Sequence, residues 1–374
     1  DPKVLDKDII KSTITSTDDG KGNYTNPVIF ADVPDIDIIR VDDAFYMVST
    51  TMHLSPGCPV MKSYDLVNWE IVNYVFDTLE DSDKLALRNG ENNYGKGQWA
   101  TTLRYNNGVY YAGFTSFSTG KTYIYHTDDI ENGKWDRFVY DECFHDMSLL
   151  FDDDGKVYLI YGGGEIWCVE LEKDLSAVKP GTKRKLINNA GLVKGCLAEG
   201  SHVYKLNGYY YIFIITWPPN SKRTQLCYRS EALDGEWERK VIIRDNMGFR
   251  NDGAAQGGIV DDKDGNWYCF VFQDHGAVGR TPVVSTWEDG WPVVGVKGKV
   301  PTTDKIPIAG HEKKGIVTSD EFINSHIVRS YHSFADTPEE AGESDYNGSN
   351  LGLEWQWTTI PTTASGRSPR GKAI

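Results

Sequence analysis

Five times along this chain a turn is followed by a strand rich in aromatic residues. The units are Asp43-Ala44-Phe45-Tyr46, Asn107-Gly108-Val109-Tyr110-Tyr111, Asp154-Gly155-Lys156-Val157-Tyr158, Asn207-Gly208-Tyr209-Tyr210-Tyr211 and Asp264-Gly265-Asn266-Trp267-Tyr268. Asn-Gly and Asp-Gly favour tight hairpin turns and aromatic residues favour strands, so each unit reads as a β-hairpin. In several units a second strand and then a further aromatic follow, as in SYDLVNWE, ENGKWDR and LDGEWER. The units recur every roughly 45 to 65 residues, the scale of one four-stranded propeller blade with its loops. Residues 25–300 carry no long stretch with a 3.6-residue apolar period. A β-sandwich would also be built of short strands, but without a fivefold internal repeat. The expected fold is therefore all-β: a five-bladed β-propeller over 25–305, after an N-terminal extension over 1–24.

Charge and composition narrow the partners. With 39 basic and 54 acidic residues the net charge is −15, which argues against a nucleic-acid backbone and suits a neutral or cationic ligand. No run of 18 apolar residues occurs, so no membrane-spanning segment is expected. Eleven Trp and 21 Tyr supply flat apolar faces on which a sugar ring can rest, although core packing uses such rings too. The six cysteines stand singly, with no CxxC pair, and several fall in strand-like runs such as NWYCFVF. Those in strand-like runs read as buried thiols, and the six together do not read as a zinc or redox motif. The chain begins at Asp1 without a signal-type apolar segment, as a trimmed mature or engineered chain would, and a secreted or periplasmic location is expected.

A propeller binds its ligand at one mouth of the central channel, where the innermost strands begin. Three of the repeats place an acid just there. Asp35 and Asp37 lie in PDIDIIRV, Asp146 lies in FHDMSLLFDDDGKVYLIYG, and Glu199 lies in CLAEGSHVYKLNGYYYIF. Each alone is most simply a strand-capping turn residue, and Asp152, Asp153 and Asp154 keep that hairpin-turn reading. Together, three acids leading the inner strands of three blades would meet at the axis.

These motifs, in this order and followed by GRTP and WEDGWP, resemble glycoside hydrolase family 43, the β-xylosidases, α-L-arabinofuranosidases and arabinanases. The resemblance covers roughly residues 25–300. It implies that Asp35 is a general base, Asp146 a residue that tunes pKa and orients, and Glu199 a general acid. That division suits inverting glycosidases, which set a base carboxylate and a protonated acid about 6.5–9.5 Å apart with water between. A third carboxylate near the acid raises its pKa, so that it stays protonated near neutral pH. Where members often show PDPS this chain has PDID; counting back from the Arg-Val pair favours Asp35 over Asp37 as base, and Asp32 fits less well. The resemblance further implies that Arg280 bonds a substrate hydroxyl and that Trp99 is an aromatic wall, alternatives being a surface ion pair and a core Trp. Met52 and His53 stand where other members have pocket aromatics. Many members hold a calcium ion at the axis, and His275 is the implied ligand, although a structural histidine is the commoner role and calcium prefers oxygen.

After WEDGWP the repeats stop. Residues 306–357 resemble a linker and the first strand of the β-sandwich that follows the propeller in larger members, and 358–374 read as a disordered or added tail. The expected activity is exo-acting, inverting release of terminal β-D-xylose or α-L-arabinofuranose from xylan-type oligosaccharides. An arabinanase is the alternative within the family; outside it the alternative is a catalytically silent propeller that binds carbohydrate. The sequence gives no oligomeric state.

Overall fold

The computed structural model describes residues 16–29, 33–86, 88–248, 253–273, 278–280 and 283–315, and two short strands at Trp355–Trp357 and Gly371–Ala373. Among the described residues there is no helix. The order is instead five four-stranded antiparallel sheets, four of them built from strands consecutive in sequence and the fifth interrupted, between its second and third strands, by the short strands Phe272–Gln273 and Val278–Arg280. Their innermost strands are Asp37–Val41, Thr101–Asn106, Ser148–Phe151, Ala198–Leu206 and Ile259–Asp261. The chain folds as the five-bladed β-propeller that its repeats predict.

The turns form for the reason the sequence gives. Asn107 and Gly108 both take positive φ (50° and 85°), as do Asn207 and Gly208 (52° and 81°). This is the mirror-image turn whose twist matches the flanking strands. The aromatics that follow each turn go into the seams between blades. One buried cluster joins Val48 and Val60 of the first blade to Leu103 and Phe114 of the second, and another joins Ile124 to Leu149 and Leu159. The series continues with Leu150 and Ile160 against Val203 and Ile212, then Phe213 against Ile259 and Trp291. The fifth cluster packs Val260 and Phe270 of the last blade on Phe45 and Met47 of the first. Five seams for five blades make the ring closed.

Two contacts fasten that closure. Arg40 donates to the Asp261 carboxylate at 2.9 Å and to its carbonyl at 3.0 Å, which joins the first inner strand to the last. Asn23–Thr25 pairs antiparallel with Thr303–Lys305, which draws the two ends of the propeller together. Beyond that pair, Ile306 and Ile308 pack on the cluster between the last and first blades, and Lys314 reaches Glu70 at 2.6 Å. The expected sandwich segment and tail lie otherwise outside the described residues, apart from the pairing of Trp355–Trp357 with Gly371–Ala373.

Candidate active site

The inner strands begin at one end of the ring, and three acids stand at those beginnings. Asp35 precedes Asp37–Val41 by two positions, Asp146 precedes Ser148–Phe151 by two, and Glu199 is the second residue of Ala198–Leu206. Asp35 and Asp146 line a small, partly open cavity with Thr101, Thr102, Gly200, Ser201, His202 and Gln256. Both aspartates adopt left-handed backbone, φ 50° and 47°. That conformation is uncommon outside glycine and persists only where the surroundings hold it. At Asp35 the Pro34 carbonyl accepts from the Thr50 N–H (3.1 Å) and the Ser49 hydroxyl (2.8 Å), while the Thr50 hydroxyl donates to the Asp35 carboxylate at 2.8 Å.

Glu199 is aimed by a β-bulge. The register with the neighbouring strand slips between Glu199 and His202, and Gly200 takes φ 72°. A bulge bends its strand and redirects side chains. A Cβ on Gly200 would come within 2.9 Å of Gln256, so glycine also admits the cavity wall. The Glu199 carboxylate meets the His145 ring, Oε2 to Nε2, at 2.7 Å, and His145 Nδ1 lies 3.6 Å from Asp146 Oδ1.

Asp146 is buried, and burial is the main reason its carboxyl is pushed up to about 7. The His145 ring pulls the other way, the charges of Glu199 and Asp35 push further up, and the Gly200 N–H lowers it. A carboxyl crowded by two others in this way holds a proton near neutral pH.

Asp37 is used differently. It is 1% exposed and its carboxylate accepts from Arg104 (2.6 Å) and from the Leu103 (2.9 Å) and Ile38 (3.0 Å) N–H groups. Arg104 in turn donates to the Leu149 carbonyl (2.9 Å), the Ser148 hydroxyl (2.8 Å) and the Val203 carbonyl (3.2 Å). One guanidinium thus binds four blades at the axis. Asp152 is also an anchor, accepting from Lys205 at 2.5 Å and the Tyr210 hydroxyl at 2.6 Å across the third and fourth blades.

The sequence model of glycosyl hydrolases family 43 matches residues 24–292, the propeller with its site. The chain belongs to that family. It is 29% identical over 95% of its length to a β-xylosidase of Formosa agariphila, covering 62% of that protein. It is 28% identical over 90% of its length to a non-reducing-end α-L-arabinofuranosidase of Bacteroides ovatus, covering 61% of that protein. A solved structure from Bacteroides eggerthii, described as a bifunctional GH43-CE protein, is 47% identical over 78% of this chain with a TM-score of 0.73, and this chain covers 38% of it. The chain spans about three fifths of the length of the curated relatives it matches.

The remaining expected site residues of this family 43 chain divide into two groups. Met52 and Gln98 exchange backbone hydrogen bonds of 2.9 and 2.8 Å, which sets Met52 and His53 beside Trp99. His53 Nδ1 accepts from the Gly95 N–H at 3.2 Å, and Trp99 is 37% exposed next to Ala100 of the cavity wall. None of these three is among the residues that line the cavity. Arg280 ends the strand Val278–Arg280, which pairs with Phe272–Gln273 and so, one strand further, with Ala254–Ala255 beside Gln256. Its side chain, and the whole of His275, lie outside the described residues.

Sequence reasoning passed over His145, Gln256, Ser201, His202 and Arg104. The signal for His145 was its place directly before a strand-leading acid. For Arg104, half-buried among carbonyls of other blades, nothing local distinguishes it from a surface arginine. His145, Asp146 and Glu199 bring ligand atoms within 4.8 Å of one another. The calcium ion is expected at His275, not at this trio, and His275 lies outside the described residues.

Proposed function

We propose that this chain is the catalytic propeller of an exo-acting, inverting glycosidase that releases terminal β-D-xylose, α-L-arabinofuranose or both from xylan-type oligosaccharides. The observation that carries the reading is the convergence of Asp35, Asp146 and Glu199, from three blades, on one end of the axis, with Asp146 holding a proton to about pH 7. Asp35 would take a proton from the attacking water and Glu199 would give one to the leaving oxygen. Asp146, charged or neutral, would adjust the affinity of Glu199 for its proton and support the Gly200 bulge beside it.

The segments next to the cavity support the choice of sugar. In this reading Trp99, Met52 and His53, on those segments, would wall a site for a single terminal pentose, and a hexose would have to bury an extra hydroxymethyl group. A buried hydroxyl without a partner costs on the order of a few kcal/mol. The names of the similar proteins, a β-xylosidase and an α-L-arabinofuranosidase, agree with a pentose. A panel of nitrophenyl glycosides tests the reading. Turnover of β-D-xylopyranoside and α-L-arabinofuranoside with no hexoside activity is expected; a hexoside cleaved as fast as a pentoside overturns it.

A further inference from the structure

The roles above leave His145 without work, although it stands between the two carboxyls at the heart of the site. Its Nε2 is 2.7 Å from Glu199 Oε2 and its Nδ1 3.6 Å from Asp146 Oδ1. Its side chain is 34% exposed, against 15% for Glu199 and 7% for Asp146, so it is the member of the trio most open to solvent. The backbone fixes it there: the His145 carbonyl accepts from the Gly162 N–H at 2.9 Å, and a Cβ on Gly163 would come within 3.5 Å of the ring and 3.9 Å of the Glu199 carboxylate. The exposed Phe117 ring lies on its open side, centroids 5.4 Å apart.

An inverting displacement leaves its acid ionised and its base protonated after every turnover. Glu199 must therefore regain a proton, and its carboxylate is mostly covered. We propose that His145 is the relay that recharges Glu199 with a proton from solvent between turnovers, an inference that rests on the reading of the site given above. The imidazolium passes its Nε2 proton to Oε2 of Glu199. The neutral ring keeps Nδ1–H towards the Asp146 carboxyl, and its bare Nε2, swung away from Oε2 towards the mouth, takes the replacement proton from water or buffer before it returns to Glu199. Asp35 releases to solvent the proton it took from the attacking water. Across the cycle one water is added to the glycosidic bond and no net proton is gained or lost.

The groups facing His145 suit this traffic. They are Glu199 and Asp146, with Asp35 across the cavity and Phe117 on the open side. Burial works against the charged ring, but the bond to Glu199 and the charges of Asp146, Glu199 and Asp35 outweigh it and raise its affinity for a proton.

The test is His145→Ala on xylobiose, which needs acid assistance, and on nitrophenyl xyloside, whose leaving group departs without it. The relay predicts a first xylobiose turnover near the wild-type rate, then a steady state slower by about tenfold or more, restored by imidazole in the buffer with KM unchanged. Nitrophenyl xyloside should be hydrolysed within a few-fold of wild type, and His145→Gln should behave as His145→Ala. A slow first turnover without imidazole rescue, or full activity of His145→Gln, overturns the relay and leaves His145 as a support for Glu199. Wild type assayed alongside separates the two levels: if it turns over no glycoside, the reading of the site has failed and the relay with it.

Discussion

Asp37 and Asp35 stand two positions apart in the turn that opens the first blade, and the molecule treats them in opposite ways. Asp37 is enclosed with an opposite charge, Arg104, and most hydrogen bonds in that network cross from one blade to another. Asp35 faces a cavity shared with a second acid, near a third, in backbone that aspartate adopts only at some cost. The first region neutralises charge to hold the ring; the second crowds like charge where water can enter. A propeller axis can do both because successive residues of a strand's leading turn point to different depths.

The largest effect expected from breaking this contrast is on rate. Asp35→Asn should cut kcat by about 10³ to 10⁴, the upper range for acid–base groups, with little change in the unfolding midpoint. Asp37→Asn should do the reverse, lowering stability while folded protein retains much of its activity. Steady-state kinetics and urea unfolding on both variants separate them.

Arg104→Met comes next. It leaves Asp37 ionised and buried without its partner, a change that typically costs about 3–5 kcal/mol. The double variant Arg104→Met with Asp37→Asn should recover part of that loss, since no charge is then stranded. Urea unfolding of the two is the check.

A smaller effect has the opposite sign. Asp146 takes up its proton at about 7 in the folded chain against 3.8 for an ordinary aspartate. Between those values the folded state binds the extra proton, so stability falls as pH rises through that window and the loss is complete above it. Asp146→Asn has no such loss. It should match wild type near about pH 4 and exceed it by on the order of 1–3 kcal/mol near about pH 8, while being slow on xylobiose. Thermal unfolding at the two pH values reads this directly. Least of all, Trp99→Ala next to the cavity should raise KM several-fold with kcat within about threefold, about 0.6 kcal/mol.

Much of the fold was legible because turn chemistry and aromatic strands repeat locally, and five repeats close only as a ring. Asp35, Asp146 and Glu199 were legible for a related reason, since each leads a strand of a recognisable motif. Arg104 and Gln256 were not, because their roles come from groups far away in sequence: Arg104 serves Leu149 and Val203, and Gln256 accepts from Arg223 at 3.1 Å. His145 was written in the same motif as Asp146, but a histidine beside an acid says nothing until Glu199 is brought to it from another blade.

The central claim is that two carboxylates on opposite sides of the sugar, Asp35 and Glu199, act with a water between them. Proton NMR of the first sugar released from nitrophenyl β-D-xylopyranoside, recorded before mutarotation, tests it most directly. The account predicts that the α-anomer of xylose appears first and the β-anomer grows in later. A first-formed β-anomer would mean a covalent intermediate and would contradict the assignment of Asp35 as a base.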